Sequence, residues 1–232
     1  MKGSNEYGTR LKTLINRLQR SGGAAAEPEI QDVTTELILA CLSEYNSESK
    51  ARAALNKLRN HFVDFNELRV SRSTEVIEVI DKNYHKAQTT TKRILQILRQ
   101  AYEKTNSMDL ESMHQMGKRE AKSFFESLEG VTPYVTARVM MRGLGGHSFP
   151  VHGPMLKMLR AEEVVDPKAG AEEVQGFLER QIPSARLHKV YALLRRHADH
   201  FKGEKSLSTK KAKKKSTKKK KTKKKTTKRR SG

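Results

Sequence analysis

The segment LEGVTPYVTARVMMRGLGGHSFPVHGPMLKML, which runs from Leu128 to Leu159, contains the signals that decide the fold. Gly130 can adopt the positive φ that ends one helix. Thr132 is a good N-cap, and Pro133 suits the first position of the next helix, where a missing N–H has no cost. These residues predict two helices joined by a very tight hairpin. Because such a hairpin turns free backbone amides and a positive helix end outward, we expect it to contact a nucleic-acid phosphate without reading a base.

The rest of the chain predicts an all-α fold. Apolar residues recur at helical spacing along most of residues 11–194, and no stretch alternates with the period of a strand for more than a few residues. Residues 31–44 are apolar on nearly every face, which is typical of a buried helix. Since these early residues and the hairpin helices both have core character, we expect two helical lobes.

The sequence also predicts the local structure of two other segments. Residues 11–18 have a short apolar stripe, and we expect their helix to pack on the outside of the core. Residues 62–69 mix apolar and charged residues without a helical period, so we predict a packed loop there.

The positive charge is concentrated at the C-terminal end. Of the formal net charge of +21, residues 202–232 carry +16, from 15 Lys, 2 Arg and 1 Glu. This mixture of Lys, Ser and Thr cannot bury apolar surface, so we expect a disordered tail similar to those of linker histones. Lysines that displace counterions bind nucleic acid without sequence preference. The tail lysines expected to contact DNA are Lys210, Lys211, Lys213, Lys214, Lys215, Lys218, Lys219, Lys220 and Lys221. A nuclear-import or solubilising segment is the alternative.

The chain offers little for metal or redox chemistry. Cys41 is the only cysteine, so neither a disulfide nor a four-cysteine iron–sulfur cluster can form within the chain. His114 has no ligand partners at suitable spacing, and the pair His147 and His152 lacks a third ligand. We therefore expect no metal and no cofactor. Without a membrane-spanning run or the apolar core of a signal peptide, we expect an intracellular monomer, cytoplasmic or associated with the nucleoid.

A broader pattern surrounds the hairpin. The L-x-G-V of residues 128–131 is followed by Tyr134-Val135-Thr136-Ala137, and further on by Phe149-Pro150-Val151-His152. This combination resembles the endonuclease III family of helix-hairpin-helix DNA glycosylases, and the resemblance extends over residues 33–201. It implies a chain divided into an N-terminal helix and linker (1–30), a glycosylase-like domain (31–201) and the basic tail (202–232). It also implies duplex DNA as the partner.

The resemblance further implies where a chemical site would lie. Family members that cut the strand attack the sugar with a lysine after the hairpin, and Tyr134 holds that position here. An aspartate stabilises the cationic sugar in this family, and His152 holds that position, although a histidine cannot supply a negative charge. A loop side chain that fills the space of a flipped base corresponds to Tyr45; the alternative is an exposed tyrosine at a capped helix end. The implied DNA contacts are Gly130, Val131, Thr132, Tyr134 and Tyr45.

Three functions stay open at this point. A DNA-binding protein without catalysis fits the loss of both chemical groups best. An active monofunctional glycosylase would need a substitute carboxylate, for which Asp166, Glu162 and Glu163 are candidates. An architectural protein of the nucleoid would use the fold only to display the basic tail.

Overall fold

The structure, a computed structural model, describes residues 4–22 and 31–201, and these residues form helices and loops without any strand. The α-helices are α1 (Ser4–Gly22), α2 (Val33–Ser43), α3 (Glu48–His61), α4 (Phe65–Val70), α5 (Ser73–Ile80), α6 (Ala87–Thr105), α7 (Lys118–Glu126), α8 (Pro133–Arg138), α9 (Gly153–Ala161), α10 (Ala171–Gln181) and α11 (Ser184–Asp199). A 3₁₀ helix, Glu111–Gln115, precedes α7, and a π-helical turn, Val139–Gly143, continues α8. The predicted all-α fold is confirmed. The tail and its lysines lie outside the described residues.

Helix α2 is the centre of the first lobe. All of its residues from Val33 to Ser43 are buried, as their apolar character predicted. The helix begins after Asp32, whose carboxylate accepts a hydrogen bond from the Thr35 amide at 2.8 Å. The hydrophobic cluster around α2 draws all of its residues from the continuous stretch between Val33 and Leu144.

The second lobe is built from both ends of the described chain. Its hydrophobic cluster combines apolar side chains of α1 with those of α9, α10 and α11. Leu11, Leu14 and Leu18 of α1 are buried in this cluster. Most of the other described residues of α1 are exposed, so the helix lies on the outside of the core with its stripe facing inward, as expected. An apolar stripe needs a second apolar surface to cover it, and α11 supplies that surface.

The prediction of a loop at residues 62–69 was wrong, because the short helix α4 occupies most of this segment. The Asp64 carboxylate accepts a hydrogen bond from the Glu67 amide at 2.8 Å, and the Glu67 carboxylate accepts one from the Val63 amide at 2.6 Å. These reciprocal bonds start a helix that buries only Leu68. Six residues are too few for a helical period to show in the sequence.

None of the helices in the described part of the chain is both long enough and apolar enough to cross a membrane.

Candidate functional site

The hairpin between α7 and α8 has the geometry that its residues predict. Gly130 has a φ of +92°, a conformation that side chains with a Cβ rarely adopt. The Val131 amide closes the turn by donating to the Leu128 carbonyl at 3.1 Å. Thr132 caps α8, since its Oγ1 accepts a hydrogen bond from the Val135 amide at 3.3 Å. The hairpin therefore presents a fixed backbone turn at the surface.

Arg93 ties this hairpin to the loop that contains Tyr45. Its Nε donates to the Gly130 carbonyl at 2.9 Å, and its guanidinium pairs with Glu44 at 2.6 Å. The guanidinium carbon also lies 5.9 Å from the centre of the Tyr45 ring, and the Lys86 ammonium lies 3.8 Å from that centre. The structure thus brings Tyr45 beside the hairpin. The ring is half-buried under a cation, and it does not project as a free wedge.

Tyr134 and His152 lie together, but they lie inside the protein. Their ring centres are 5.8 Å apart, and the two residues are only 4% and 2% exposed. Arg195 donates a hydrogen bond to the Tyr134 hydroxyl at 2.7 Å, and this hydroxyl lies 2.9 Å from Ser43 Oγ. Tyr134 therefore faces the joint between the lobes, whereas Gly130, the hairpin glycine, lies at the surface.

The surroundings of His152 hold its imidazole neutral. Within the described residues neither ring nitrogen makes a hydrogen bond, and Nε2 lies 3.7 Å from Asp199 Oδ1. Burial disfavours the imidazolium and lowers the pKa of His152 to about 4. The Asp199 carboxylate opposes this lowering of the pKa, and the positive charge of Arg195 adds to it. At neutral pH the position carries no charge of either sign.

Two helices meet at this joint with the same spacing of polar residues. The repeating residues are Tyr134, Arg138 and Arg142 on α8 and its π-helical continuation, and Tyr191, Arg195 and Asp199 on α11. Residues four apart lie on one helix face, so each helix presents a polar stripe within an apolar surface. Arg138, Arg142 and Arg195 are only 1%, 3% and 2% exposed. The sequence analysis did not select these arginines, because arginine is rarely buried. Their spacing of four residues could have indicated a polar stripe on each helix.

Carboxylates lie against the buried arginines. Arg138 donates to both carboxylate oxygens of Glu48, at 2.7 and 2.8 Å. Burial opposes ionisation of this carboxyl, but Arg138 outweighs burial and lowers the pKa of Glu48 to about 2. Glu36, which is fully buried, lies 3.5 Å from Arg138 Nε and 3.7 Å from Arg142 Nε.

Arg195 joins the two lobes directly. From α11 in the second lobe it donates to the Ser43 carbonyl at 2.8 Å and to the Asn46 carbonyl in the first lobe. Its Nε donates to Asp199 at 2.9 Å, and Asp199 in turn accepts a hydrogen bond from the Glu48 amide at 2.8 Å. Burial would raise the pKa of Asp199, but the positive charge of Arg195 and the hydrogen bond from the Glu48 amide outweigh burial and lower it. Asp199 is therefore ionised at neutral pH.

A cavity of about 430 Å³ opens beside this network, between α3, α8 and α11. The charged residues that line it are Arg52, Arg138, Arg142, Arg195, Arg196, Glu48 and Asp199. Five arginines against two carboxylates leave a formal excess of three positive charges in the lining. The Glu36 carboxylate, which lies against Arg138 and Arg142, reduces this excess to two. Arg196 is exposed and Arg52 is half-buried, so this formal excess lies toward the mouth of the cavity. The buried Arg138, Arg142 and Arg195 are equal in number to Glu36, Glu48 and Asp199.

The carboxylates suggested by the sequence lie away from the cavity. Asp166 accepts a hydrogen bond from the Lys168 amide at 2.8 Å, Glu162 pairs with Arg17, and Glu163 is exposed. None of the three lines the cavity. Asp199 does line it, although its position far along the sequence from the hairpin gave no reason to select it.

Across residues 4–22 and 31–201, no three His, Cys, Asp or Glu side chains are grouped so that they could hold a metal ion.

Comparisons with known proteins identify the fold. No model of a known protein family matches the chain, and no curated protein sequence matches it. Among solved structures, endonuclease III trapped as a covalent intermediate with DNA matches with a TM-score of 0.64 and 13% identity, covering 81% of this chain and 84% of that chain. The H. pylori 3-methyladenine DNA glycosylase bound to 1,N6-ethenoadenine matches with a TM-score of 0.61 and 14% identity, covering 82% of this chain and 94% of that one.

A third match is the Clostridium acetobutylicum 8-oxoguanine glycosylase/lyase in complex with double-stranded DNA. Its TM-score is 0.63 at 15% identity, and the match covers 86% of this chain and 72% of that one. At such identities the likeness establishes the fold. The chain has the helix-hairpin-helix fold of the endonuclease III-like DNA glycosylases.

Proposed function

We propose that this protein binds duplex DNA without sequence preference and does not excise bases. The observation that carries the proposal is the identity and burial of Tyr134 and His152, the two positions at which the resemblance places catalytic groups: one is a phenol and the other a neutral imidazole.

The chemical argument starts from the reaction. Excision passes through a cationic sugar, which a carboxylate stabilises, and strand cutting needs an amine that can form a Schiff base. Tyr134 supplies a phenol in place of the amine, and His152 supplies a neutral imidazole in place of the carboxylate. Both steps of the reaction are therefore disfavoured.

DNA binding is supported by the surface outside this joint. The hairpin holds its backbone turn at the surface, with Lys86 exposed beside it and Arg93 fixing the turn from below. Two of the matched structures, the endonuclease III intermediate and the 8-oxoguanine glycosylase/lyase, contain DNA. The excess of lysine in residues 202–232 adds affinity that depends on salt and not on sequence.

The decisive experiment separates binding from chemistry. The protein is incubated with an undamaged duplex and with duplexes that contain uracil, 8-oxoguanine, 1,N6-ethenoadenine or 3-methyladenine. We expect similar binding to all of them, no released base, and no covalent adduct after borohydride reduction. A trapped adduct would show strand-cutting chemistry, and a released base would show excision; either result overturns the non-catalytic proposal.

One observation favours a second candidate, an active monofunctional glycosylase. Asp199 is an ionised carboxylate that lines the cavity, and it lies 3.7 Å from His152. Should base release be detected, this candidate requires Asp199→Asn to abolish it and Asp166→Asn to leave it unchanged. Asp166 is the matched control because it carries the same charge outside the cavity.

A further inference from the structure

The cavity between α3, α8 and α11, here called the interlobe cavity, is lined by several arginines that belong neither to the hairpin nor to the basic tail. Its volume of about 430 Å³ falls within the range of small-molecule sites. Arginines from three segments converge on it: Arg52 from α3, Arg138 and Arg142 from α8 and its continuation, and Arg195 and Arg196 from α11. Planar guanidinium groups match the oxygens of a phosphate, so several of them around one cavity favour an anion.

The outer part of the cavity is where hydrogen-bond donors remain for a ligand. Arg52 has its Nη2 buried and paired with Glu48 Oε1 at 3.1 Å, whereas its side chain as a whole is 30% exposed. The hydroxyls of Ser47 and Ser49, which are 3.3 Å apart, also border the cavity. A ligand entering from solvent therefore meets a guanidinium and two hydroxyls first.

The deeper arginines act as fixed charge. Arg138 is already bound to Glu48, and Arg195 is already bound to Asp199 and to two carbonyls. Their geometry is set before any ligand arrives, so a ligand would not have to order them. Glu36, Glu48 and Asp199 match Arg138, Arg142 and Arg195 in number, so the formal excess of positive charge lies toward the mouth of the cavity.

We propose that this cavity binds a phosphate monoester. The formal excess of two positive charges, counted with Glu36, matches the charge of about −1.5 to −2 that a phosphate monoester carries at neutral pH. Arg52, Ser47 and Ser49, in the outer part of the cavity, contact the phosphate oxygens. The phosphate belongs either to a free nucleotide or to the end of a nucleic-acid strand.

The test titrates the full-length protein with inorganic phosphate, with deoxyadenosine 5′-monophosphate and with deoxyadenosine, by calorimetry. We expect saturable binding of both phosphates and none of deoxyadenosine. A 5′-phosphorylated oligonucleotide is compared with its unphosphorylated form to identify the source. Tighter binding of the 5′-phosphorylated oligonucleotide than of both its unphosphorylated form and the mononucleotide assigns the cavity to a strand end. Tighter binding of the mononucleotide than of the phosphorylated oligonucleotide assigns it to a free nucleotide.

Two variants connect the binding to the cavity. Ala192→Glu places a negative charge in the lining, and Arg52→Gln removes the outer guanidinium; each should weaken phosphate binding about tenfold. Lys50→Gln is the matched control, because Lys50 is an exposed cation on α3 that does not line the cavity. Circular dichroism confirms that each variant is folded.

The result that overturns the proposal is the absence of saturable phosphate binding, or equal affinity in wild type, Ala192→Glu and Arg52→Gln. Phosphate binding by the tail alone would survive both substitutions, and this result would also reject the cavity as the site. Binding of undamaged duplex DNA by the same variants is measured in parallel. Retained duplex binding without phosphate binding rejects the cavity site and leaves the proposed DNA-binding function standing.

Discussion

At the scale of single residues, one hydroxyl connects the two polar stripes. The Tyr134 hydroxyl accepts a hydrogen bond from Arg195 at 2.7 Å and lies 3.3 Å from the Tyr191 hydroxyl. Arg195 is only 2% exposed, so a donor that loses its partner cannot turn to water. Tyr134, at the position that the resemblance assigns to a nucleophile, therefore serves as a hydrogen-bond acceptor for buried Arg195.

Tyr134→Phe should lower the free energy of unfolding by about 1–3 kcal/mol, because it leaves a buried guanidinium N–H of Arg195 without its acceptor. Urea unfolding at neutral pH measures the change. Tyr102→Phe is the control, since the contact of that half-buried tyrosine with Arg69 is made by its ring. Equal stability of Tyr134→Phe and wild type would show that the hydroxyl is dispensable.

His152 makes the stability of the protein depend on pH. Its pKa falls from the ordinary value of 6.5 to about 4 in the folded state. Between these pH values the unfolded chain binds a proton that the folded chain does not, so stability is lost as the pH falls. We expect a loss of about 3 kcal/mol from this residue across the interval.

Unfolding of His152→Gln as a function of pH checks this expectation. The variant should lack the part of the slope between pH 6.5 and about 4 that wild type shows. His114→Gln, at an exposed histidine, should keep the wild-type slope. A slope that survives His152→Gln would mean that other groups cause the acid sensitivity.

At the scale of the elements, the hairpin was predictable because it depends on local residues alone. A positive φ at Gly130, the cap at Thr132 and a proline at the start of α8 all follow from the conformational preferences of those residue types. The polar stripes of α8 and α11 were not predictable in the same way. Burial of an arginine depends on partners such as Glu36 and Glu48, which lie far away in the sequence.

Gly130→Val should strain the hairpin, because a β-branched residue strongly disfavours a φ of +92°. In a chain truncated after Phe201, we expect weaker binding to undamaged duplex DNA. Fluorescence anisotropy with a labelled duplex measures the affinity. Gly145→Val is the matched control, since Gly145 also has a positive φ, of +62°, and lies outside the hairpin. Equal losses in both variants would assign the effect to general destabilisation.

At the scale of the whole molecule, charge and fold are separated along the sequence. Residues 1–201 carry +5 of the formal charge and residues 202–232 carry +16. The two lobes and the all-α fold could be predicted from apolar periodicity, because periodicity reports which faces are buried. The membership of α1 in the second lobe could not, because a stripe of apolar residues does not identify the surface that covers it.

Truncation after Phe201 should flatten the salt dependence of binding to undamaged duplex DNA, because the tail supplies most of the cations that displace counterions. The slope of log affinity against log salt concentration measures the number of phosphate contacts. A full-length chain with glutamine at the lysines of residues 210–221 tests charge separately from length. An unchanged slope in both variants would place the cationic contacts on the folded part of the chain.

The composition of the two hydrophobic clusters also sets an order of events during synthesis. The first cluster needs only residues from Val33 to Leu144, so it can form while the ribosome is still adding the later helices. The second cluster brings α1 against α11, so it is complete only after the last described helix has emerged. Pulsed hydrogen exchange during refolding should protect amides of α2 before those of α1. A chain that lacks α11 would leave the apolar stripe of α1 partly uncovered.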